Sequence, residues 1–328
     1  MSSRRRVLSG IQPTGAGKHL GNYLGAVRHW AAMQDEFECF FFIADLHSLT
    51  ITPDPAELRA QTRKLIAELL AMGVDPSKSA LFAQSHIHEH PELAWVLSCL
   101  TGFGEANRMT QFKEKGGGNV GLFNYPILQA ADILMYQAHM VPVGEDQRQH
   151  LELTRDLGQR FNHRYGETFT VPDPYVQKSA ERIKDLADPT AKMSTSKGGS
   201  GVLWVIEDDM ATTKKIKSAV TDTGREVEHD VANKPGISNL LTILSVATGT
   251  AVPALQEDYL GKGYGDFKTD VAAAVVEMFA PVRKKYAELM SDPGYLDAVL
   301  REGATTARAV ASATMADVRD RIGLLAPA

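Results

Sequence analysis

The chain has 328 residues, 44% hydrophobic and 23% charged, with a formal charge of −5; this is the balance of a soluble globular protein with room for one large α/β domain and a smaller one, each with its own core. No apolar run approaches the ~18 residues of a membrane span, and the basic start Arg4-Arg5-Arg6 is followed by too few apolar residues for a secretory leader, so a cytoplasmic protein without a membrane association is expected. Cys39 and Cys99 are too few for a Cys-rich zinc or iron–sulfur site and predict two buried free thiols, while the acidic balance neither supports nor excludes a nucleic-acid partner.

In chain order, the first half alternates short apolar runs with amphipathic stretches, the pattern of a parallel sheet wrapped by helices. Val7–Gln12 predicts a strand, Pro13-Thr-Gly-Ala-Gly17 a turn, and Asn22 to Gln34 a helix. Phe40-Phe-Phe-Ile-Ala44 is the uninterrupted run of a strand covered on both faces. Glu57–Met72 predicts a helix and Ala80-Leu-Phe-Ala83 a second buried strand. Pro91 suits the first turn of a helix running to about Leu100. A Gly116-Gly-Gly118 loop, a helix near Pro126–Gln137, a strand Met140–Val143 and a helix from Glu145 to about Phe161 follow. Strand signals stop after Leu203–Val205, and Asp208–Val220, Ile237–Ala247, Phe267–Leu289 and Leu296–Ile322 all read as helices. The expected organisation is α/β: a Rossmann-like catalytic domain with a parallel sheet over 1–190, and a smaller α-helical domain over 191–291. A C-terminal helix, 292–328, is expected to pack back on the first domain, and the Ser-, Gly- and Lys-rich loop Lys192–Gly201 is the expected hinge.

The first strand and helix are joined by a glycine-rich turn ending in His19-Leu20-Gly21-Asn22. Such a turn presents free backbone N–H groups that suit phosphate oxygens. Gly17-Lys18 suggests a Walker P-loop, but that motif needs a glycine five residues before Gly17 and a Ser or Thr after the lysine. Gln12 and His19 stand there, so the motif fails. Taken alone, the turn is as readily a tight bend that glycine permits.

Two other clusters are weighed in the same way. His86-Ile-His88-Glu-His90 has strand spacing that would place three imidazoles on one face, as a zinc site needs. Pro91 follows at once, and the segment reads as an exposed loop of neutral imidazoles; no metal site is expected. Lys214-Lys215-Ile-Lys217 is either a solvated helix face or an approach surface for RNA.

Downstream lies Lys192-Met-Ser-Thr-Ser-Lys197-Gly198. A His-x-Gly-x turn near the N-terminus paired with a Lys-Met-Ser-x-Ser loop resembles the two signatures of class I aminoacyl-tRNA synthetases. Ser9-Gly-Ile-Gln-Pro-Thr14, Met109-Thr-Gln-Phe-Lys-Glu-Lys115, Ala130-Ala-Asp-Ile-Leu134, Val143-Gly-Glu-Asp-Gln147 and Lys234-Pro-Gly-Ile-Ser-Asn-Leu-Leu241 extend the likeness to the tryptophanyl-tRNA synthetase family, in order along nearly the whole chain. The resemblance implies activation of L-tryptophan by ATP with Mg²⁺, no tightly bound cofactor, transfer to tRNA(Trp), and a homodimer with tRNA anticodon contacts on the helical domain. Such a transfer needs alignment and charge stabilisation more than covalent catalysis.

The same resemblance distributes roles. His19, Asn22, Lys113, Lys192 and Lys197 are the expected catalytic groups at the phosphates. Gln12, Pro13, Thr14, Gly21, Gly144, Glu145, Asp146, Ile183, Met193, Ser194, Thr195 and Ser196 are expected around ATP, with Asp146 on the ribose and Ile183 against adenine. Asp132, Gln147, Tyr125, Gln129 and His47 are expected around tryptophan, with Asp132 accepting the indole N–H. Phenylalanine offers no such donor, and a site built to hydrogen-bond its substrate rejects such an analogue by roughly 10⁴–10⁵.

Three departures stand out. Thr195 occupies the place of the family's second loop lysine, and Lys197, followed by Gly198-Gly199, is the expected substitute. Gln129 stands where many bacterial members carry an apolar residue; with Tyr125 and Asp132 it is similar to the tyrosine-specific enzymes, which remain the alternative, together with a nucleotide-binding homologue that does not charge tRNA. The first turn is also one residue longer than in many relatives.

Overall fold

The structure is a computed structural model that describes residues 4–13, 15, 17–109, 118–142, 144, 147–175, 183–194 and 199–325. Five parallel strands form one sheet: β1 (Arg6–Ile11), β2 (Glu38–Ile43), β3 (Ser79–Ala83), β4 (Met140–Pro142) and β5 (Asp173–Tyr175). Their order is β3-β2-β1-β4-β5, so the chain builds outward from β1 in one direction and then returns to build in the other.

Side chains alternate between the two faces, as the strand period of two requires. Val7, Cys39, Phe41, Ile43 and Leu81 enter one apolar cluster; Leu8, Phe40, Phe42, Ala80 and Phe82 enter the other. The helices α1 (Leu20–Asn22), α2 (Arg28–Met33), α3 (Asp45–Ser48) and α4 (Pro55–Ala71) follow β1 and β2, with a π-helical turn, Tyr23–Val27, joining α1 to α2. Trp30 of α2 stacks on Phe41 with ring centroids 4.4 Å apart. Asp54 caps α4 through the N–H groups of Ala56 and Glu57, and Pro55 fills the first helical position.

The opposite face is covered by α5 (Glu89–Ser98), α7 (Val120–Met135) and α8 (Arg148–Tyr165), with α6 (Phe103–Asn107) packed on α7. α7 begins well before the expected Pro126, because Asn119 caps it through the Leu122 N–H, and Pro126 is carried in its interior. The edge strand β5 carries a proline, which an edge tolerates; periodicity did not announce it.

The second half is helical: α9 (Asp209–Lys217), α10 (Pro235–Thr248), α11 (Val252–Asp258), α12 (Tyr264–Met290) and α13 (Pro293–Ile322). Leu203–Val205 is no strand of the sheet; it pairs locally with the first turn, Leu20 donating to the Leu203 carbonyl and Val205 to that of Lys18 at 2.9 Å each. The core does not break near residue 190. Ile183, Met193, Val202, Ile237, Leu240 and Phe279 belong to the cluster that also holds Val7, Leu20 and Trp30. α13 lies on the main chain of β3: a β-carbon at Gly303 would sit 2.0 Å from the Leu81 carbonyl oxygen, so only glycine allows this approach.

One thiol departs from expectation. Cys39 is buried, and burial pushes its thiol up to about 12. Cys99 is exposed, because it caps the C-terminal end of α5 on the helix's outer side.

Candidate active site

A cleft of about 480 Å³ opens at the carboxyl ends of β1 and β4, the two strands between which the chain reverses its direction of winding. Ligands of doubly wound sheets bind at this switch point. Ser9, Gly10, Gln12, Lys18, His47, Tyr125, Gln129, Asp132, Pro142 and Gln147 are among its lining residues.

Asp132, on α7, is 1% exposed. A buried carboxylate is costly unless paired, and three side chains meet it. Gln84 Nε2 donates at 2.7 and 2.9 Å, His47 Nε2 lies at 2.8 Å and His90 Nδ1 at 2.5 Å. Burial alone would raise the carboxyl's pKa; the His90 charge and the hydrogen bonds of His47 and His90 outweigh it and hold the group at about 2. Asp132 is therefore ionised and acceptor-only, which makes the facing ring nitrogens donors. Behind His90, Tyr136 closes the network at 2.8 Å from Nε2, and burial drives the tyrosine pKa well above its ordinary value. Two buried polar atoms of the network, His47 Nδ1 and Gln84 Oε1, have no partner among the described residues.

His90 corrects the reading of the His86–His90 segment as an exposed loop. It is the second residue of α5 and fully buried. The spacing His90, Leu93, Ala94, Leu97 marks one helical face, and that signal was present in the sequence.

A second polar group lines the same cleft. The Tyr125 hydroxyl lies 2.9 Å from His150 Nε2, His150 Nδ1 lies 3.0 Å from Gln147 Oε1, and Gln129 Nε2 donates to that oxygen at 3.4 Å. His150, on α8 and 2% exposed, was not singled out from sequence.

The third group is built from turns. His19 and Asn22 cap α1 reciprocally: the Asn22 N–H donates to His19 Nδ1 at 3.2 Å, and the His19 N–H donates to Asn22 Oδ1 at 3.3 Å. His19 is 3% exposed, and burial first, then the charges of Lys192 and Lys18, lowers it to about 4. At neutral pH the imidazole is thus uncharged. With Nδ1 accepting, its proton sits on Nε2. Gly21 stands directly against this ring. Lys192 stands on a short antiparallel hairpin opposite Lys184. Burial lowers the pKa of Lys18, with the Glu68 carboxylate opposing that shift.

The structure thus brings together Gln12, His47, Tyr125, Gln129, Asp132 and Gln147 in one cleft. Pro13 is buried, Gly144 exposed and Ser194 partly buried. The side chains of Ile183 and Met193 do not line the cleft; at 2% and 1% exposure they pack into the core beneath the Lys192 hairpin. Thr14, Lys113, Glu145, Asp146, Thr195, Ser196 and Lys197 lie outside the described residues.

Comparison with known proteins adds an independent line. The family model "tRNA synthetases class I (W and Y)" matches residues 2–280. Tryptophan--tRNA ligase 2 of Streptomyces avermitilis is 55% identical, with 99% of this chain and 98% of that protein covered. Tryptophan--tRNA ligase of Corynebacterium glutamicum is 53% identical over 98% of this chain and 95% of its own length. The crystal structure of tryptophanyl-tRNA synthetase from Campylobacter jejuni, complexed with ADP and tryptophan, superposes with a TM-score of 0.87 at 36% identity, covering 97% of this chain and all of that one. A tyrosyl-tRNA synthetase from Aeropyrum pernix, at 19% identity and a TM-score of 0.64, shares the fold alone.

Proposed function

This chain belongs to the class I tRNA synthetases of the tryptophan and tyrosine group, and from that premise we propose how its cleft selects tryptophan and activates it with ATP. Its activity is that of a tryptophan–tRNA ligase, and the tyrosine alternative gives way to it. The observation that carries the proposal is Asp132, an ionised carboxylate in the cleft wall held by three donors.

An ionised carboxylate offers roughly four lone-pair directions. His47 and His90 take one each and Gln84 reaches both oxygens; the indole N–H of tryptophan takes the place of one Gln84 contact. Tyr125, Gln129 and Gln147 line the same cleft and take the polar end of the amino acid. Their positions orient the substrate carboxylate toward the α-phosphorus of ATP, where its attack expels pyrophosphate and leaves tryptophanyl-adenylate. Neutral His19 serves as a hydrogen-bond donor through Nε2 rather than as a cation, and Asn22 fixes its ring. Lys192 supplies positive charge to the departing pyrophosphate, with Ser194 beside it and Lys113 and Lys197 assigned by motif. Gln12, Pro13, Gly21 and Gly144 surround the nucleotide, joined by motif by Thr14, Glu145, Asp146, Thr195 and Ser196; Ile183 and Met193 support it from beneath through the hairpin. Among the described residues no group of three or more His, Cys, Asp and Glu is suited to a metal. Mg²⁺ is assigned as the companion of ATP by the family resemblance, and when bound it would supply charge to the phosphates.

Two surfaces extend this reading. Leu49, Ile51, Trp95, Phe103 and Val120 are between 54% and 80% exposed. Leu49, Trp95 and Val120 surround a hollow of about 510 Å³ whose wall includes His47 and Tyr125. A contiguous exposed apolar face of this kind marks an association site, and we assign it to a second copy of the chain in a homodimer. On α9, Lys215 is engaged by Glu207 and the Val202 carbonyl, whereas Lys214 and Lys217 border an open groove against α12. We assign that groove and the helical region 191–291 to the anticodon side of tRNA(Trp). No single described helix is long and apolar enough to cross a membrane, and we place the enzyme in the cytoplasm.

Amino-acid-dependent ATP–pyrophosphate exchange with tryptophan, tyrosine and phenylalanine side by side tests the cleft assignment. Tryptophan is expected to exceed phenylalanine by about 10⁴-fold in kcat/KM, and Asp132→Ala to collapse that ratio. Discrimination that survives Asp132→Ala removes Asp132 from the selecting role.

A further inference from the structure

The Lys234-Pro-Gly-Ile-Ser-Asn-Leu-Leu241 motif has so far carried resemblance without a task. It forms the start of α10, remote in sequence from both signature segments. One of its side chains, Asn239, reaches the hairpin on which Lys192 stands.

In an antiparallel pair, successive residues send their N–H and C=O groups alternately toward the partner and away from it. The hairpin follows this rule. Asp185 donates to the Ala191 carbonyl at 3.0 Å, and Met193 donates to the Ile183 carbonyl at 3.2 Å. Lys184, between Ile183 and Asp185, turns its own pair outward, where no strand lies among the described residues. Asn239 meets it instead: Oδ1 accepts the Lys184 N–H at 2.8 Å, and Nδ2 donates to the Lys184 carbonyl at 3.1 Å. One amide side chain thus satisfies both backbone groups of one residue, as a third strand would.

Asn239 is 5% exposed, and its own position is fixed from both sides. Ile237, Leu240 and Leu241 are fully buried around it. Gly236 lies so close to the chain after the hairpin that a β-carbon there would come within 2.0 Å of the Val220 carbonyl oxygen. The Val220 N–H returns to the Leu186 carbonyl at 2.8 Å, which closes the frame on the hairpin itself.

We propose that Asn239 is a positioning residue for Lys192: its amide sets the outer edge of the hairpin and thereby the place of the Lys192 ammonium near His19 during activation. This rests on the reading of Lys192 as the pyrophosphate-side cation. Asn239 touches no substrate; it acts through the backbone. A lysine displaced by an ångström loses charge stabilisation that matters chiefly as pyrophosphate departs, so kcat falls while tryptophan binding does not.

The test is a double-mutant cycle in pyrophosphate exchange, with tryptophan Kd measured by equilibrium dialysis. Asn239→Asp keeps the size and the acceptor but loses the Nδ2 donor. It is expected to lower kcat by about 10-fold with tryptophan Kd within about twofold of the parent. In a Lys192→Ala background the same change is expected to cost nothing further, because its only route is already removed. Asn239→Ser, which retains a small donor and acceptor, is run in the same cycle should the aspartate variant unfold at the assay temperature. Equal losses in both backgrounds, or a silent Asn239→Asp in the parent, overturn the proposal while leaving Lys192 in its role. A silent Lys192→Ala is a different failure: it removes the cation reading, and the positioning role falls with it.

Discussion

The two ends of the candidate site, the cleft around Asp132 and the turns around His19, are made in different ways. The Asp132 end is assembled from side chains of four separate elements, and its polar atoms are bonded to one another in the protein's interior. The His19 end is assembled from turns: a capping pair, a backbone bridge to Leu203–Val205, and a hairpin registered by Asn239. The first arrangement fixes a charge before any ligand arrives, which suits selection between similar amino acids. In the proposed reading, the second brings donors and ammonium groups to the phosphates, which suits acceleration of a phosphoryl transfer. Substitutions at the two ends should therefore fail in different currencies.

The largest expected effect is at Asp132. Asp132→Ala leaves the His47, His90 and Gln84 donors facing a void; kcat/KM for tryptophan should fall by about 10³-fold, or about 4 kcal/mol. Breaking a buried charged network also destabilises by about 3–5 kcal/mol, so urea unfolding should report the change as clearly as exchange kinetics. A variant of normal stability and normal KM would erase the contrast between the ends. At the other end, His19→Ala should reduce kcat by about 10²–10³-fold, the usual cost of one preorganised donor, and leave tryptophan Kd nearly unchanged in a binding assay. If His19→Ala weakens tryptophan binding as much as it slows activation, the division of labour is wrong.

A smaller effect tests the apolar face behind His47 and Tyr125. Trp95→Asp should weaken association by about 30-fold or more, near the 2 kcal/mol of a buried aromatic anchor, as read by sedimentation velocity over a dilution series. An unchanged sedimentation coefficient would detach that face from self-association. A last effect is in pH. The folded-state pKa of His19 lies at about 4, below the ordinary 6.5. The unfolded chain therefore binds the extra proton first; the stability that this group contributes is full above pH 6.5 and is lost as pH falls toward 4. Wild type should lose more unfolding free energy across that interval than His19→Asn does. Parallel pH profiles would mean that His19 is not held neutral.

Much of the sheet was legible because its signals are local. Phe40-Phe-Phe-Ile needs no partner to identify a doubly covered strand, and Asp54-Pro55 announces a helix start by capping chemistry alone. Asp132 was legible as well, since an acid within Ala-Ala and Ile-Leu neighbours demands a partner. Two of its three partners were not. Gln84 and His90 lie 48 and 42 residues away in the chain, and nothing local says that they converge. Local cues also misled: Pro126 looked like a start and lies mid-helix, and Cys99 sits among apolar neighbours yet faces out. The role of Asn239 is the extreme case, an amide that completes a strand edge 55 residues away.

The seat of Gly303 on the main chain of β3 has a consequence in time. β3 ends at Ala83, and the helix that lies on it begins only at Pro293. At the ~5–20 residues per second of synthesis, the nascent sheet waits roughly 10–40 s for that cover. Throughout this interval the growing chain offers Ser79-Ala-Leu-Phe-Ala83, a fully buried strand in the finished protein, at the open edge of a parallel sheet. An unpaired apolar edge is a template for another chain. Premature termination before α13 should therefore yield a product whose fate is association with its neighbours or capture by a chaperone.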